Sequence, residues 1–183
     1  MKKMSLRTRV LTGTVAAAAL SAGTFGAVSA NAATPAAPAA AKADTAGKNV
    51  TQTSHLTIDA ATEAAQATLD AAEKENQRVS VAVVDRNGNT ILTLRGDGAG
   101  PQSYEAAEKK AFTAVSWNAP TSELTKRLDK APTLKDIPGT LFLAGGAPVA
   151  DKGAPIAGIG VAGAPSGDLD EKFAQAGVAA LAK

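Results

Sequence analysis

Residues 79–95 read VSVAVVDRNGNTILTLR, and this stretch decides the fold. Successive side chains of an extended chain point to opposite faces, and both faces of the first half are apolar here. One face carries Val79, Val81 and Val83, and the other carries Ala82 and Val84. Asn87-Gly88 in the middle can supply the two positive φ values of a type I′ turn. The stretch therefore predicts an antiparallel hairpin of about residues 79–85 and 90–95, covered on both faces.

Helical segments flank this hairpin in the sequence. Before it, small apolar side chains at helical spacing predict a helix over residues 58–75, with Thr57 as its N-cap. The side chains of that stripe are Ile58, Ala61, Ala65, Leu69 and Ala72. After the hairpin, a second helix is expected over about residues 103–116, capped by Ser103, and a short third one over about 122–129.

The last third of the chain contains a second β region. Short apolar runs predict strands at residues 140–144, 148–150 and 156–161, and a final helix is expected over about 168–181. Glycines would weaken these strands unless something packs closely there, and they stand at Gly158, Gly160 and Gly163. This order of elements predicts a single-domain α+β fold, with a central antiparallel sheet flanked by helices on both sides.

The beginning of the chain predicts export. Within residues 1–32, a basic start is followed by a weakly apolar stretch and by the small-x-small sequence Ala30-Asn31-Ala32, which is typical of a cleaved secretory signal peptide. The Ala/Pro-rich residues 33–53 are expected to form a disordered spacer, and residues 54–183 the folded domain. We therefore expect a secreted, extracellular protein, and association with the cell wall is compatible with this location.

Removal of the signal changes the charge balance. The whole chain has 19 basic and 17 acidic residues, and the signal holds four of the basic ones and none of the acidic ones. The exported part then has 15 basic residues against 17 acidic ones, a net charge of −2. Nucleic-acid binding proteins generally carry a basic surface, so no nucleic-acid partner is expected. Insertion of the mature chain into a membrane is not expected either.

Side chains that usually carry catalysis or ligate haem iron are scarce. The exported part has one histidine, His55, one tyrosine, Tyr104, and neither cysteine nor methionine. A Ser-His-Asp triad would have to use His55 without any GxSxG motif, which disfavours a serine hydrolase. Among the usual ligands of haem iron, only the His55 imidazole and the Tyr104 oxygen remain. Both also have ordinary interpretations, as a solvated side chain and as a packing residue at a helix start.

Three pairs of carboxylates are spaced three residues apart on predicted helices, so that each pair shares one face. They are Asp70/Glu73, Glu105/Glu108 and Asp168/Glu171. Such a pair can offer oxygen ligands to a hard cation such as ferric iron, although the same spacing is common on solvated helix faces. Glu105/Glu108 is the best candidate, because it opens a helix after a glycine-rich loop. Lys109 and Lys110 follow at once and could neutralise that pair.

Several blocks of the chain resemble the GlcG/HbpS-like family of haem-binding domains, which includes the C-terminal domain of some corrinoid adenosyltransferases. The blocks are VAVVDRNGN, RGDGAGPQSYEAAEKKAFTAVSWNAPTSEL, GTLFLAGGAPV and GAPIAGIGVAGAPSGDLDE, between residues 81 and 171. The resemblance implies a central antiparallel sheet between helices and a large homo-oligomer, an octamer in the closest relatives. It also implies binding of haem and of iron ions, and a part in haem breakdown.

The resemblance further implies roles for particular residues and a partner. His55 is expected to contact haem, with Thr140 as a second haem contact, and Glu105-Ala-Ala-Glu108 to bind iron. The secreted members work with the extracellular domain of a sensor histidine kinase, in a two-component system that responds to haem and to redox or oxidative stress. Three functions stay open: a haem- and iron-binding protein that reports to the sensor, a haem-degrading enzyme that releases iron, and a purely regulatory partner.

Overall fold

Four antiparallel strands form one sheet in a computed structural model that describes residues 44–182. The strands are β1 (Ser80–Asp85), β2 (Thr90–Arg95), β3 (Gly146–Asp151) and β4 (Ala154–Ala162). Their order across the sheet is β2-β1-β4-β3, and every neighbouring pair is antiparallel. The predicted hairpin, the later strands near 148–150 and 156–161, and the antiparallel sheet are confirmed.

Helices cover both faces of this sheet, as predicted. They are α1 (Ile58–Lys74), α2 (Ser103–Trp117), α3 (Thr121–Thr125) and α4 (Gly167–Ala180), and 3₁₀ turns follow α3 at Lys126–Asp129 and Pro132–Asp136. Helices α1 and α4 pack on each other and on one face, while α2 packs on the other face. None of the helices described between residues 44 and 182 has the length and apolar character that crossing a membrane requires.

The segment before α1 is only partly described. The predicted signal peptide and the spacer as far as residue 43 lie outside the described residues. Residues 44–53 are exposed and contain one 3₁₀ turn, Gly47–Asn49. Thr57 caps α1 as predicted, because its side-chain oxygen accepts a hydrogen bond from the amide of Ala60.

The strand faces differ in the size of their side chains. On the side of α1 and α4, valines and isoleucines such as Val81 and Ile159 form the larger core. On the side of α2, the apolar residues that the sheet offers to the alanines of the helix are small, namely Ala82, Val84 and Ala162, and glycines lie beside them. All apolar residues of β1 are buried, so the two-faced pattern of 79–84 predicted their burial correctly.

Glycines let the α2 backbone touch β4. A Cβ atom at Gly160 would overlap the carbonyl oxygen of Ala107, and one at Gly158 would overlap that of Ala111. The expectation that something packs closely against these glycines is therefore confirmed. Because the obstacle is helix backbone, which cannot rotate away like a side chain, α2 would have to move to admit a methyl group.

The tip of the β1–β2 hairpin differs from the predicted turn. The amide of Gly88 donates to the carbonyl of Asp85, and only Gly88 has a positive φ, at +88°. Asn87 does not, so the turn is of the non-primed kind followed by a glycine bulge, and the type I′ prediction is wrong. The Asp85 carboxylate explains the choice, because it accepts hydrogen bonds from the amides of Asn87 and Asn89, both at 2.8 Å.

Hydrogen bonding also sets the protonation of this turn aspartate. Desolvation acts to raise the pKa of Asp85, but hydrogen bonds from Asn89 and Asn87 outweigh it and lower the pKa below its ordinary value. The turn therefore keeps its negative acceptor at any pH at which free aspartate is ionised.

Two further local predictions are wrong. Ser103 does not cap α2 but is its first helical residue, and its hydroxyl donates to the carbonyl of Gly100 at 2.6 Å and pairs with the buried Ser80 hydroxyl at 2.8 Å. Residues 140–144 do not form a strand, and β3 starts only at Gly146. The amide of Leu141 is instead bonded to the Thr113 hydroxyl at 2.8 Å, so it is not available to a sheet.

Replacing Gly160 by alanine is expected to destabilise the domain by about 3 kcal/mol, because the new methyl group would collide with the carbonyl of Ala107. Urea unfolding measures the difference. Gly47→Ala is the matched control, since nothing lies within 4 Å of a Cβ at that position. Equal stability of the two variants would show that α2 does not need the glycine to approach β4.

Candidate functional site

A groove lies beside His55, the single histidine of the chain. It has a volume of about 460 Å³ and lies on the side of α1 and α4, where β3 and β4 meet the chain before α1. Its walls are partly apolar, formed by Leu56, Ala60, Val149, Ile156 and Leu181, and partly polar, formed by Ser54, His55 and Asp151. Ser54 holds the segment in place, because its hydroxyl donates to the Asp151 carboxylate at 2.9 Å.

The imidazole of His55 is exposed at this groove and only partly engaged. Its Nε2 lies 2.9 Å from the Thr53 hydroxyl, and its Nδ1 makes no hydrogen bond to any described residue. This hydrogen bond restrains the ring, and it leaves the other nitrogen available to a ligand. The groove therefore combines apolar and polar walls with a single imidazole whose Nδ1 is available to a ligand.

The other two predicted haem contacts lie elsewhere. Neither Tyr104 nor Thr140 lines the His55 groove. Tyr104 is 44% exposed in the first turn of α2, which covers the opposite face of the sheet. The hydroxyl of Thr140 donates to the carbonyl of Ile137 at 2.7 Å, within the irregular chain before β3. One subunit therefore does not bring the three residues together.

The Glu105/Glu108 pair lies on α2, and each carboxylate already has a neighbour. Glu105 forms an exposed ion pair with Lys109 at 2.6 Å, and this hydrogen bond and positive charge lower the pKa of Glu105. Glu108 is half-buried and accepts a hydrogen bond from the Thr93 hydroxyl at 3.0 Å. Lys109 thus partly neutralises the pair, as the sequence suggested, and any cation would compete with it.

A shallow groove joins Glu108 to the chain before Thr140. Its volume is about 250 Å³, and Phe112 and Gly139 line it together with Glu108. Gly139 directly precedes Thr140 in the sequence. The acidic pair and the irregular segment are therefore neighbours on the α2 side, although the sequence placed them more than 30 residues apart.

The two remaining acidic pairs differ from each other. Asp70 and Glu73 are both exposed on α1, and Asp70 accepts a hydrogen bond from Gln66 at 2.7 Å. Asp168 is exposed on α4, whereas Glu171 is only 6% exposed and accepts hydrogen bonds from inside the domain. Asp168 therefore faces solvent while Glu171 lies in the interior, so these two carboxylates do not share one exposed face. Within residues 44–182, no three His, Asp or Glu side chains cluster in a way that could hold a metal ion.

A buried ion pair was missed by the sequence reasoning. Lys110 and Asp170 have side chains only 2% and 5% exposed, and their charged groups lie 2.7 Å apart. The Lys110 ammonium also donates to the carbonyl of Val161 at 2.9 Å, and the amide of Ala164 donates to Asp170 at 2.9 Å. Burial raises the pKa of Asp170, against the opposing effect of Lys110.

Lys110 therefore does not neutralise Glu105 or Glu108, contrary to the expectation. One signal for this existed in the sequence, because Lys110 interrupts the inward face of α2 between Ala107 and Ala114. A charged residue at such a position needs a buried partner, but nothing local to α2 indicates which of the distant acids provides it.

Comparisons with known proteins agree with this fold. The family model described as "Haem degrading protein HbpS-like" matches residues 56–179. A crystal structure of Streptomyces reticuli HbpS with two glutamates, three positions apart, changed to aspartate is 73% identical, with a TM-score of 0.76. The match covers 78% of this chain and 97% of that one.

Two more distant relatives extend the comparison. A crystal structure of PduOC in complex with haem is 27% identical, with a TM-score of 0.64, and the match covers 69% of this chain and 95% of that one. A 15.0 kDa protein from the dhaT–dhaS intergenic region of Citrobacter freundii is 33% identical over 117 residues, which are 61% of this chain and 82% of that protein.

Changing Lys110 to methionine is expected to destabilise the domain by about 3–5 kcal/mol at neutral pH, because Asp170 would remain buried and charged without a partner. The difference from the unchanged protein should shrink as the pH falls through the raised pKa of Asp170, since the folded state then binds a proton there. Urea unfolding at neutral and acidic pH measures both effects.

Lys109→Met is the matched control for this experiment. Lys109 is the adjacent lysine, and its side chain is 43% exposed in a surface ion pair, so its loss should change stability by less than about 1 kcal/mol. If both variants lose the same small amount of stability, Asp170 does not depend on Lys110 as its partner in the folded domain.

Proposed function

Because the chain belongs to the family of haem degrading, HbpS-like proteins, we propose that it is an extracellular haem-binding protein whose haem site is built around His55. The observation that carries the proposal is a groove with apolar side chains in its walls and one imidazole nitrogen available to a ligand at its edge. A structural relative, PduOC, has been crystallised with haem. The export signal predicted at residues 1–32 supports the extracellular location.

The groove fits a porphyrin in chemistry. Haem presents a broad apolar surface and an iron that accepts a histidine nitrogen, and the groove offers apolar side chains and the only histidine of the chain. The groove is open, so haem held there would stay partly exposed. Asp151 at its rim would repel the haem propionates, which favours an orientation with those groups in solvent.

A haem site that also uses Tyr104 or Thr140 would need a second copy of this chain. Both residues lie outside the His55 groove within one subunit. Assembly of the kind implied by the resemblance, up to an octamer, could bring them to the haem of a neighbour. The alanine-rich packing and the absence of cysteine support assembly as a source of stability.

Replacing His55 by alanine should weaken haemin binding by at least about tenfold and abolish the Soret shift of a histidine-ligated iron, because the chain has no second imidazole. Titration followed by absorption measures both. Thr53→Val is a useful companion, since it removes the hydrogen bond to the ring and should weaken binding less. A spectrum of His55→Ala identical to that of the unchanged protein would place the ligand elsewhere.

We further propose that Glu105 and Glu108 bind ferric iron. They are the only two glutamates three residues apart in this chain, and the 73% identical relative was crystallised with two glutamates at that spacing replaced. Both carboxylates lie on α2 next to the irregular segment, with Lys109 and Thr93 as their present partners. Water or another subunit would have to supply the remaining ligands, because two carboxylates do not fill the coordination of iron.

The double variant Glu105→Gln, Glu108→Gln should lower the affinity for ferric citrate by at least about tenfold, because both anionic ligands are lost. Calorimetric titration measures it. Asp70→Asn with Glu73→Gln is the matched control on an exposed helix face, and it should bind iron as the unchanged protein does. An equal loss of iron affinity in both double variants would show that iron is attracted by negative charge in general and not by a specific site.

Haem breakdown with release of iron is the alternative function. The family description favours it, and a single protein ligand would leave the second side of the iron open to oxygen or peroxide. In that case the chain would hold and orient haem, and the haem iron would supply the oxygen chemistry. Loss of haem absorbance with ascorbate or peroxide, faster than for free haemin and with iron released, would favour this function.

We also propose that the exported protein reports haem and redox stress to the extracellular domain of a sensor histidine kinase. The scarcity of catalytic side chains is consistent with a binding and signalling role. Surface plasmon resonance with that domain, with and without haemin, distinguishes the remaining choices. Binding that depends on haemin supports a haem reporter, binding that ignores it supports a purely regulatory partner, and no binding rejects both.

A further inference from the structure

We propose that Glu171 is a positioning residue that latches the segment of residues 121–145 onto the domain, and that this segment can undock as one unit. The segment leaves the end of α2 and returns to the sheet at β3, and it contains α3 and both 3₁₀ turns that follow it. Thr140 belongs to it. The latch itself follows from the fold, and only its consequence for haem rests on the function proposed above.

The Glu171 carboxylate touches both ends of the segment. At the start, its Oε2 accepts hydrogen bonds from the Ser122 amide at 2.8 Å and the Thr121 hydroxyl at 3.3 Å, and its Oε1 accepts one from the Ser122 hydroxyl at 2.5 Å. At the end, the amide of Gly145 lies 3.4 Å from Oε2. The Thr121 hydroxyl also accepts a hydrogen bond from the amide of Gly146 at 2.8 Å, so the two ends meet at one buried carboxylate.

The segment has its own apolar cluster, separate from the two clusters that pack on the sheet. Leu124 and Phe142 are buried in it, and Trp117 at the end of α2 packs against Phe142 with ring centroids 5.8 Å apart. Arg127 lies over the Trp117 ring at 5.5 Å. The amide of Leu141 is also bonded to the Thr113 hydroxyl, and the amide of Val161 donates to the carbonyl of Gly145 at 2.8 Å, while much of the segment is exposed. A unit with few apolar contacts to the main core opens at lower free energy than the core does.

Docking of the segment is sensitive to the loss of this carboxylate, because all the groups that contact it are hydrogen-bond donors at a buried or half-buried position. Its removal would leave the amides of Ser122 and Gly145 without an acceptor, which is costly inside a protein. Glutamine is a conservative replacement, because its carbonyl oxygen can take the place of Oε2 and the Ser122 hydroxyl can reverse its direction. If Glu171→Gln keeps the segment docked and Glu171→Ala does not, the hydrogen-bonding capacity of the side chain is what holds the segment.

Limited trypsin digestion without haemin tests the latch. Lys126, Arg127, Lys130 and Lys135 are exposed cleavage sites within the segment, while Arg86 and Arg95 report on the sheet. Glu171→Ala should speed cleavage within the segment by about tenfold, the loss expected for an unmade buried hydrogen bond to a charged group, and leave cleavage in the sheet unchanged. Glu171→Gln should stay within about threefold of the unchanged protein.

The matched control is Glu123→Ala, which removes an exposed carboxylate from the same short helix and should not change cleavage. If Glu171→Ala does not fold, Ser122→Ala removes one donor and should speed cleavage within the segment by about threefold. Unchanged cleavage within the segment of folded Glu171→Ala, or of Ser122→Ala where Glu171→Ala does not fold, overturns the latch, and so does an equal increase of cleavage in segment and sheet.

The fluorescence of Trp117, the single tryptophan of the sequence, gives a second readout. Phe142 and Arg127, which pack against its ring, both belong to the segment. Undocking in Glu171→Ala should shift its emission to the red and increase quenching by acrylamide. An emission spectrum unchanged in a variant whose segment is cleaved faster contradicts undocking as a unit.

Haemin titration of the same variants tests the consequence for haem. With Thr140 as a haem contact, Glu171→Ala should weaken haemin binding by about fivefold or more, and Glu171→Gln should restore it. Unchanged affinity in a variant with a released segment overturns the role of the latch in haem binding. If the unchanged protein does not bind haemin, the proposed function fails, while digestion and fluorescence still decide the latch.

Discussion

The close approach of the α2 backbone to strand β4 is the constraint on which the rest of the domain depends. Gly158 and Gly160 provide no side chains, so the carbonyls of Ala111 and Ala107 rest almost directly on the strand. With the helix this close, small residues fit best beside it, and the α2 side of the sheet has Ala82, Ala162, glycines and Val84 as its apolar residues. The larger core then has to form on the opposite face, between the sheet, α1 and α4.

This approach also explains how a lysine can be buried at the same interface. Lys110 lies on α2 between the two contact points, and its side chain reaches the carbonyl of Val161 and the carboxylate of Asp170. The next residue, Glu171, binds the ends of the 121–145 segment. Two consecutive acids of α4 thus connect this helix to α2, to the end of β4 and to the segment, and each has its full set of partners only in the folded domain.

The candidate haem- and iron-binding residues lie at the periphery of the packed sheet and helices. His55 stands at a groove on the α1 and α4 side, while Glu105, Glu108 and Thr140 belong to the α2 side. A protein that binds haem or iron at such exposed places, with few protein ligands, keeps the bound group accessible to reductants and to partner proteins. This is the physical reason why binding, breakdown of haem and signalling are closely related alternatives here.

The sequence by itself determined the elements whose signals are local: the hairpin, the amphipathic α1 with its Thr57 cap, and the sheet between helices. Tertiary structure alone decided the turn at Asp85, the irregular path of 140–144, and the partners of Lys110 and Glu171. Periodicity reports which face of one element is apolar, and it does so from neighbours along the chain. It carries no information about which donor meets which acceptor 49 or 60 residues away, because that pairing exists only after the layers have packed.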